Sequence, residues 1–139
     1  MGEDKGEDEK EVNMKELYQS ADWKKEKHVP VIEIVEKDKE KGVKIVVSVG
    51  KEIPHPNTTA HHISWIDVYL LPEGSKFPYH IGRYEFLSHG ASVDGADTSS
   101  VYTEPVVEIK FKTGKEGKIF ASSYCNIHGL WENSIELKF

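Results

Sequence analysis

Ser122-Ser123-Tyr124-Cys125-Asn126-Ile127-His128-Gly129-Leu130-Trp131 contains the only cysteine of the chain. A lone cysteine cannot form an internal disulfide, so Cys125 is either a free thiol or a metal thiolate. His128 follows at the third position, and Gly129 beside it permits a tight turn. Cys-x-x-His puts a soft sulfur and a borderline nitrogen within reach of one ion. Two ligands do not complete a metal site, so the other donors must come from elsewhere in the chain.

Around this stretch the sequence reads as β. Residues 118–124 lead into Cys125 as a strand, and 134–139 follow it as another. Upstream, 31–35, 43–49, 62–71, 79–86 and 106–112 have strand composition, and the β-branched run 43–49 is dense enough for a central strand. Lys37-Asp38-Lys39-Glu40-Lys41-Gly42 reads as a charged turn, and Gly114-Lys115-Glu116-Gly117 as a hairpin connection. Seven short strands separated by turns predict an all-β, immunoglobulin-like sandwich. There is no βαβ alternation, internal repeat or Gly-rich phosphate loop. One short helix precedes the strands. Asn13 is its expected N-cap, Glu16 completes a capping box, and its end is expected near Asp22-Trp23.

At 139 residues the chain fits a single domain with one core. Six acids and two lysines in the first twelve residues give −4 of the net charge of −6. Residues 1–13 are therefore expected to form an acidic, disordered tail ahead of a domain spanning 14–139. The sequence has no long apolar run for a membrane span, no apolar signal-peptide core and no basic stripe for nucleic acid. A single cysteine and no export signal predict a cytoplasmic protein.

Histidines supply the missing donors. His28 precedes Val29-Pro30, and the proline disfavours helix at Val29, so His28 belongs to an extended segment or loop. The connection 50–62 holds His55 between Pro54 and Pro56, which stiffen the backbone, and ends at His61-His62. Neighbours on a strand face opposite ways, so only one of that pair can join His55, and alternation does not choose between them. His80 and His89 read as structural or surface residues. The long polar connection 87–105, which carries His89, is of a length often functional or packed on itself.

Several separated motifs now agree in order and spacing. Glu26-Lys27-His28-Val29-Pro30, Ile53-Pro54-His55-Pro56-Asn57-Thr58-Thr59 with His61-His62, Gly82-Arg83-Tyr84-Glu85-Phe86, Tyr102-Thr103-Glu104-Pro105 and 123–131 resemble superoxide reductases of the one-iron, neelaredoxin type, within the desulfoferrodoxin iron-binding domain family. The resemblance runs from about Asp22 to the C-terminus. It implies a seven-stranded immunoglobulin-like sandwich holding one mononuclear Fe2+/Fe3+ per chain. His28, His55, His61 and His128 are the implied equatorial ligands and Cys125 the axial one, which selects His61 over His62. Glu26 is implied as a cap on the oxidised iron, and Lys27 as the group that attracts the anion and stabilises the peroxide intermediate. Ala60 departs from the acidic residue frequent at its position. The implied activity is one-electron reduction of superoxide to hydrogen peroxide. The chain has no Cys-x-x-C for a second iron centre, so the electrons come from an external donor such as rubredoxin. Relatives often assemble as homotetramers.

The donor set suits that chemistry. Four neutral imidazoles leave the metal charge unchanged, one thiolate subtracts a unit, and five protein ligands leave one octahedral position open. A thiolate opposite that position pushes electron density onto iron, as in thiolate haem proteins. The alternative is a type 1 copper electron-transfer protein, also a β-sandwich with a late Cys-x-x-His, but its usual axial Met is absent beyond His128. A structural zinc site would need only four of the five donors.

Overall fold

The computed structural model describes residues 11–139, so the first ten residues of the expected acidic tail lie outside it. The chain forms helix α1 (Met14–Leu17) and seven strands, β1 (Pro30–Asp38), β2 (Gly42–Val49), β3 (Ile63–Pro72), β4 (Tyr79–Glu85), β5 (Val106–Phe111), β6 (Gly117–Cys125) and β7 (Gly129–Leu137). Two antiparallel sheets, β1-β2-β5 and β4-β3-β6-β7, pack into an immunoglobulin-like sandwich. The core between them follows a period of two. Val43, Ile45, Val47 and Val49 of β2 face Ile66, Val68 and Leu70 of β3 and Ile119, Ala121 and Cys125 of β6, all buried. Full burial of each large aliphatic side chain contributes about 1.5–3 kcal/mol. Cys125 is thus the last inward residue of a core strand, and the metal-site end of the sandwich begins where β6 stops.

Three expectations need correction. The 114–117 connection is not a hairpin, because β5 pairs with β2 while β6 pairs with β3 and β7. A glycine-flanked polar stretch signals a reversal of direction but not which sheet the next strand joins. β1 runs on through Glu36-Lys37-Asp38, so the charged turn is confined to 39–41. β1 has a neighbour on one side only, and charges at an exposed edge are compatible with pairing. β7 starts at Gly129 rather than 134, since pairing with β6 propagates directly from the turn, Cys125 opposite Gly129.

The capping box also fails to form. Asn13 is extended and makes no side-chain cap bond; Glu16 N–H donates to the Asn13 carbonyl at 3.0 Å. α1 is a single turn with no buried residue, so no packing extends it towards Asp22. Beyond it the chain lies against the edge of β7. Gln19 N–H donates to Leu130 O at 3.0 Å, and Glu132 N–H to Gln19 O at 2.9 Å.

Two loops meet at the Cys125 end, 50–62 and the three-residue turn 126–128. Gly129 closes the second at φ +84°, a conformation that costs glycine little. Gly50 opens the first at φ +87°, and a Cβ there would sit 2.7 Å from the His55 amide nitrogen. Both strain and overlap penalise any side chain at this position. Gly50→Ala is therefore expected to destabilise the fold by more than about 1 kcal/mol. Denaturant unfolding checks it, and an unchanged midpoint would show that the loop gives way freely.

Candidate metal centre

His28 is fixed from both sides in sequence. Pro30 keeps Val29 extended, and Lys25 and Glu26 N–H both donate to Asp22 O, at 2.9 and 3.0 Å, forming a turn that ends at His28. The Glu26 carboxylate then accepts from the His28 backbone N–H at 3.0 Å and from its ring Nδ1 at 2.7 Å. Partial burial works to raise the Glu26 carboxyl, but the two His28 hydrogen bonds outweigh it and hold it below the usual carboxylate value. The ring is left with Nε2 for other use. On one face it stacks on Trp131, centroids 4.9 Å apart and planes 13° from parallel.

His55 uses its Nδ1–H on the Pro56 carbonyl at 2.6 Å, so the proline that stiffens the loop also sets the ring's orientation. Its Nε2 is buried with no protein partner, and so is Nε2 of His61. A buried polar atom without a partner costs about 1–3 kcal/mol, so two of them facing one space call for an occupant. His61 is pinned by Thr58, whose hydroxyl accepts the His61 N–H at 3.0 Å while Thr58 N–H donates to His61 O at 2.9 Å.

Cys125 is fully buried, and its sulfur accepts the His128 backbone N–H at 3.3 Å. His128 Nδ1 lies 3.8 Å from that sulfur and 3.2 Å from His28 Nε2. The His128 carbonyl is held by Gln19 Nε2 at 2.9 Å and Trp131 Nε1 at 3.3 Å.

One donor atom from each of His28, His55, His61 and Cys125 lies within 4.8 Å of every other. The four imidazoles close a ring. Centroid separations are 4.8 Å for His28–His55, 4.8 Å for His55–His61, 5.1 Å for His61–His128 and 4.8 Å for His28–His128. The His28–His61 separation is 6.5 Å, longer than any side, as the diagonal of a square must be. His128 is not part of that four-donor group; it joins through its ring, with Nδ1 3.8 Å from the sulfur and 3.2 Å from His28 Nε2.

The electrostatics oppose protonation of the rings. Burial pushes the His55 ring down to about 4, against an upward pull from the Pro56 carbonyl, and the positive fields of His28, His61 and Lys27 add to the fall. His61 is lowered first by burial and then by His128, His28 and Lys27. The His55 ring is therefore neutral at pH 7, so a metal need not displace a proton from it, and the fall at His61 acts in the same direction. Lys27 adds to the fall at both rings. The donor chemistry and the two nitrogens without a protein partner together fit an iron centre.

The structure separates the adjacent histidines, though not by strand alternation, because β3 starts only at Ile63. His62 turns away and stacks on His89, centroids 3.5 Å apart and planes 4° from parallel, with Nδ1–H donating to Thr58 O at 2.8 Å. His89 also reaches Asn57 Oδ1 at 2.9 Å and Phe86 O at 2.6 Å. Asp97 accepts Thr59 N–H at 2.8 Å, and Asn57 Nδ2 donates to Thr103 O at 3.0 Å. The connection 87–105 is thus packed on itself and clamps the loop carrying His55 and His61. His80 lies elsewhere, bonded to the buried Asp67 at 2.8 Å. Asn126, Trp131 and Gln19 touch the site; the first two stood in the motif at 123–131 without a role of their own, and Gln19 carried no signal.

Comparison with known proteins follows the same line. The family model described as desulfoferrodoxin matches residues 20–134. The chain is 60% identical over 123 residues to a superoxide reductase of Pyrococcus furiosus, covering 88% of this chain and 98% of that one. It is 48% identical over 124 residues to a neelaredoxin of Megalodesulfovibrio gigas, covering 88% and 95%. The solved structure of a superoxide reductase (neelaredoxin) from Archaeoglobus fulgidus in the reduced form superposes with a TM-score of 0.85 at 62% identity, covering 88% and 99%.

The geometry gives His61 and His62 opposite fates. His61→Ala is expected to lose most of its iron, while His62→Ala keeps near wild-type occupancy. Metal analysis of the two purified variants checks this, and the reverse result would exchange their roles.

Proposed function

We infer that this chain, which belongs to the desulfoferrodoxin family, works as a superoxide reductase, an oxidoreductase that takes superoxide to hydrogen peroxide with one electron and two protons. The observation that carries the reading is the cluster of four imidazoles beside a buried thiol, with two ring nitrogens lacking any protein partner. His28, His55, His61, His128 and Cys125 would hold one iron. Bound there, it would supply the one-electron chemistry that reduces superoxide, with an external donor restoring the electron.

The protein's own groups do the rest. Cys125 contributes a thiolate whose charge is moderated by the His128 N–H. Glu26 holds Nδ1 of His28, so that Nε2 faces the site, and in this reading the same carboxylate would leave Nδ1 to cap the oxidised centre. Lys27 provides a positive field at the point where an anion must arrive. No second cysteine exists to build another iron centre, so the donor is a separate protein of rubredoxin type. The reaction proceeds in the cytoplasm, in a domain spanning 14–139, with 1–13 as a tail outside it. The assembly is a homotetramer. The outer face of the four-stranded sheet supports this, since Tyr18, Tyr69, Leu71, Pro78 and Phe120 line a groove of about 510 Å3 there. A type 1 copper site finds no support, because Met14 is exposed on α1 and four rings, not two, surround the centre.

Metal analysis, a visible spectrum and pulse radiolysis test the function. One iron per chain, a thiolate-to-iron band and peroxide formation without dioxygen release are expected. Stoichiometric copper or zinc would refute it. Cys125→Ser should lose both the band and nearly all activity, and a variant that keeps both with iron bound would remove Cys125 from the axial role.

Lys27 is weighed against a net charge of −6. Charges beyond a Debye length of about 8 Å are largely screened at physiological salt, which discounts the distant acids. A local positive field at a cleft raises anion on-rates by about 10–10³-fold. Lys27→Ala should slow the ferrous protein's reaction with superoxide about tenfold at low salt and flatten its salt dependence. Deleting residues 1–12 should change the same rate by less than about twofold. An unaltered rate and salt slope in Lys27→Ala would make Lys27 a solvated surface charge.

A further inference from the structure

Asn126 stands between Cys125 and the exposed Ile127 in the β6–β7 turn. A polar residue in such a turn ordinarily faces water, but this one is half-buried and both ends of its amide are bonded to the protein. Oδ1 accepts the His62 backbone N–H at 2.8 Å, and Nδ2 donates to the Ala60 carbonyl at 2.9 Å. Its own backbone N–H donates to His62 O at 3.2 Å. The partners are the two residues flanking His61. The β3–β6 ladder ends at the Ile63–Cys125 pair, so the Asn126 amide acts as further rungs beyond the last strand residue.

We propose that Asn126 is a positioning residue that couples His61 to Cys125 and sets the relative placement of these two donors. They arise from different loops, and 50–62 has no regular secondary structure of its own. His61 Nε2 gains nothing from the protein, so its direction depends on how the backbone at 60–62 is held. Thr58 fixes His61 only to its own loop. Asn126 fixes it to the strand end that carries the thiol. Without the amide, Ala60 O and His62 N–H lose their partners, and the loop can move away from Cys125 while the sandwich core stays intact. The proposal rests on the five-donor reading above.

Asn126→Ala and the near-isosteric Asn126→Asp test it. Asp keeps an acceptor for His62 N–H but loses the donor to Ala60 O. Iron-loaded wild type and both variants are compared by iron loss to a chelator and by the position and intensity of the thiolate-to-iron band. Thermal unfolding of the metal-free proteins is measured in parallel, with Ile45→Val as a control that loosens the core without touching the site. Asn126→Ala should weaken iron binding by about 10–100-fold and shift the band, as loss of outer hydrogen bonds does elsewhere. Asn126→Asp should fall between it and wild type, and Ile45→Val should lower the melting temperature while leaving iron loss and band unchanged. Wild-type iron retention and an unshifted band in both Asn126 variants would overturn the proposal and leave the donor set standing. So would a change matched by Ile45→Val, which would reduce the role of Asn126 to general stability. A wild-type protein that shows no sulfur-to-iron band would remove the five-donor reading and this proposal with it.

Discussion

The Nε2 atoms of His55 and His61 are buried and bonded to nothing. Folding strips them of water without giving them a partner, which costs about 1–3 kcal/mol each. The sandwich must supply that free energy from its core, and the surrounding contacts must prevent the rings from turning away to recover it. The Pro56 carbonyl takes the other nitrogen of His55, and Thr58 ties the backbone of His61. The same principle governs His28, where Glu26 occupies Nδ1 and Trp131 covers one face. His28 and His55 are fixed by what their rings bond away from the centre, and His61 and His128 by bonds to their backbones, so the inward ring nitrogens are left for a ligand.

Much of the scaffold could be read from one chain. The alternation of Val43, Ile45, Val47 and Val49 marks β2 as central, and in the structure it lies between β1 and β5. The readings that failed concern pairing, which is non-local. Glu36-Lys37-Asp38 has the composition of a turn, yet β2 holds it in a strand. Leu130 and Trp131 read as part of a ligand motif, yet they are the start of β7. A glycine pair at 114 and 117 reads as a hairpin although it joins two sheets.

At the site, residue types and spacing exposed the donors, and family resemblance chose His61 from the adjacent pair. The supporting contacts were not legible. His89 meets Asn57 across 32 residues, and Asn126 meets Ala60 across 66. No local pattern records such meetings, because each partner looks like an ordinary loop residue until the fold brings it home. This also explains why the chain tolerates irregular loops around a demanding geometry: side-chain bonds between loops do what strand ladders do in the core.

The span of the site along the chain has a consequence for biosynthesis. His28 lies near the start of the domain and Cys125 and His128 near its end, while Gln19 makes its bonds with the last turn and the strand that follows it. A ribosome releases these parts in order, so the early histidines wait until almost the whole domain has emerged. A nascent domain therefore offers no finished pocket, since Cys125 and His128 appear only directly before β7 closes beside them. On the proposed reading, a metal would be taken up by the completed domain, with the closing hairpin as the step that brings the scattered candidate donors together.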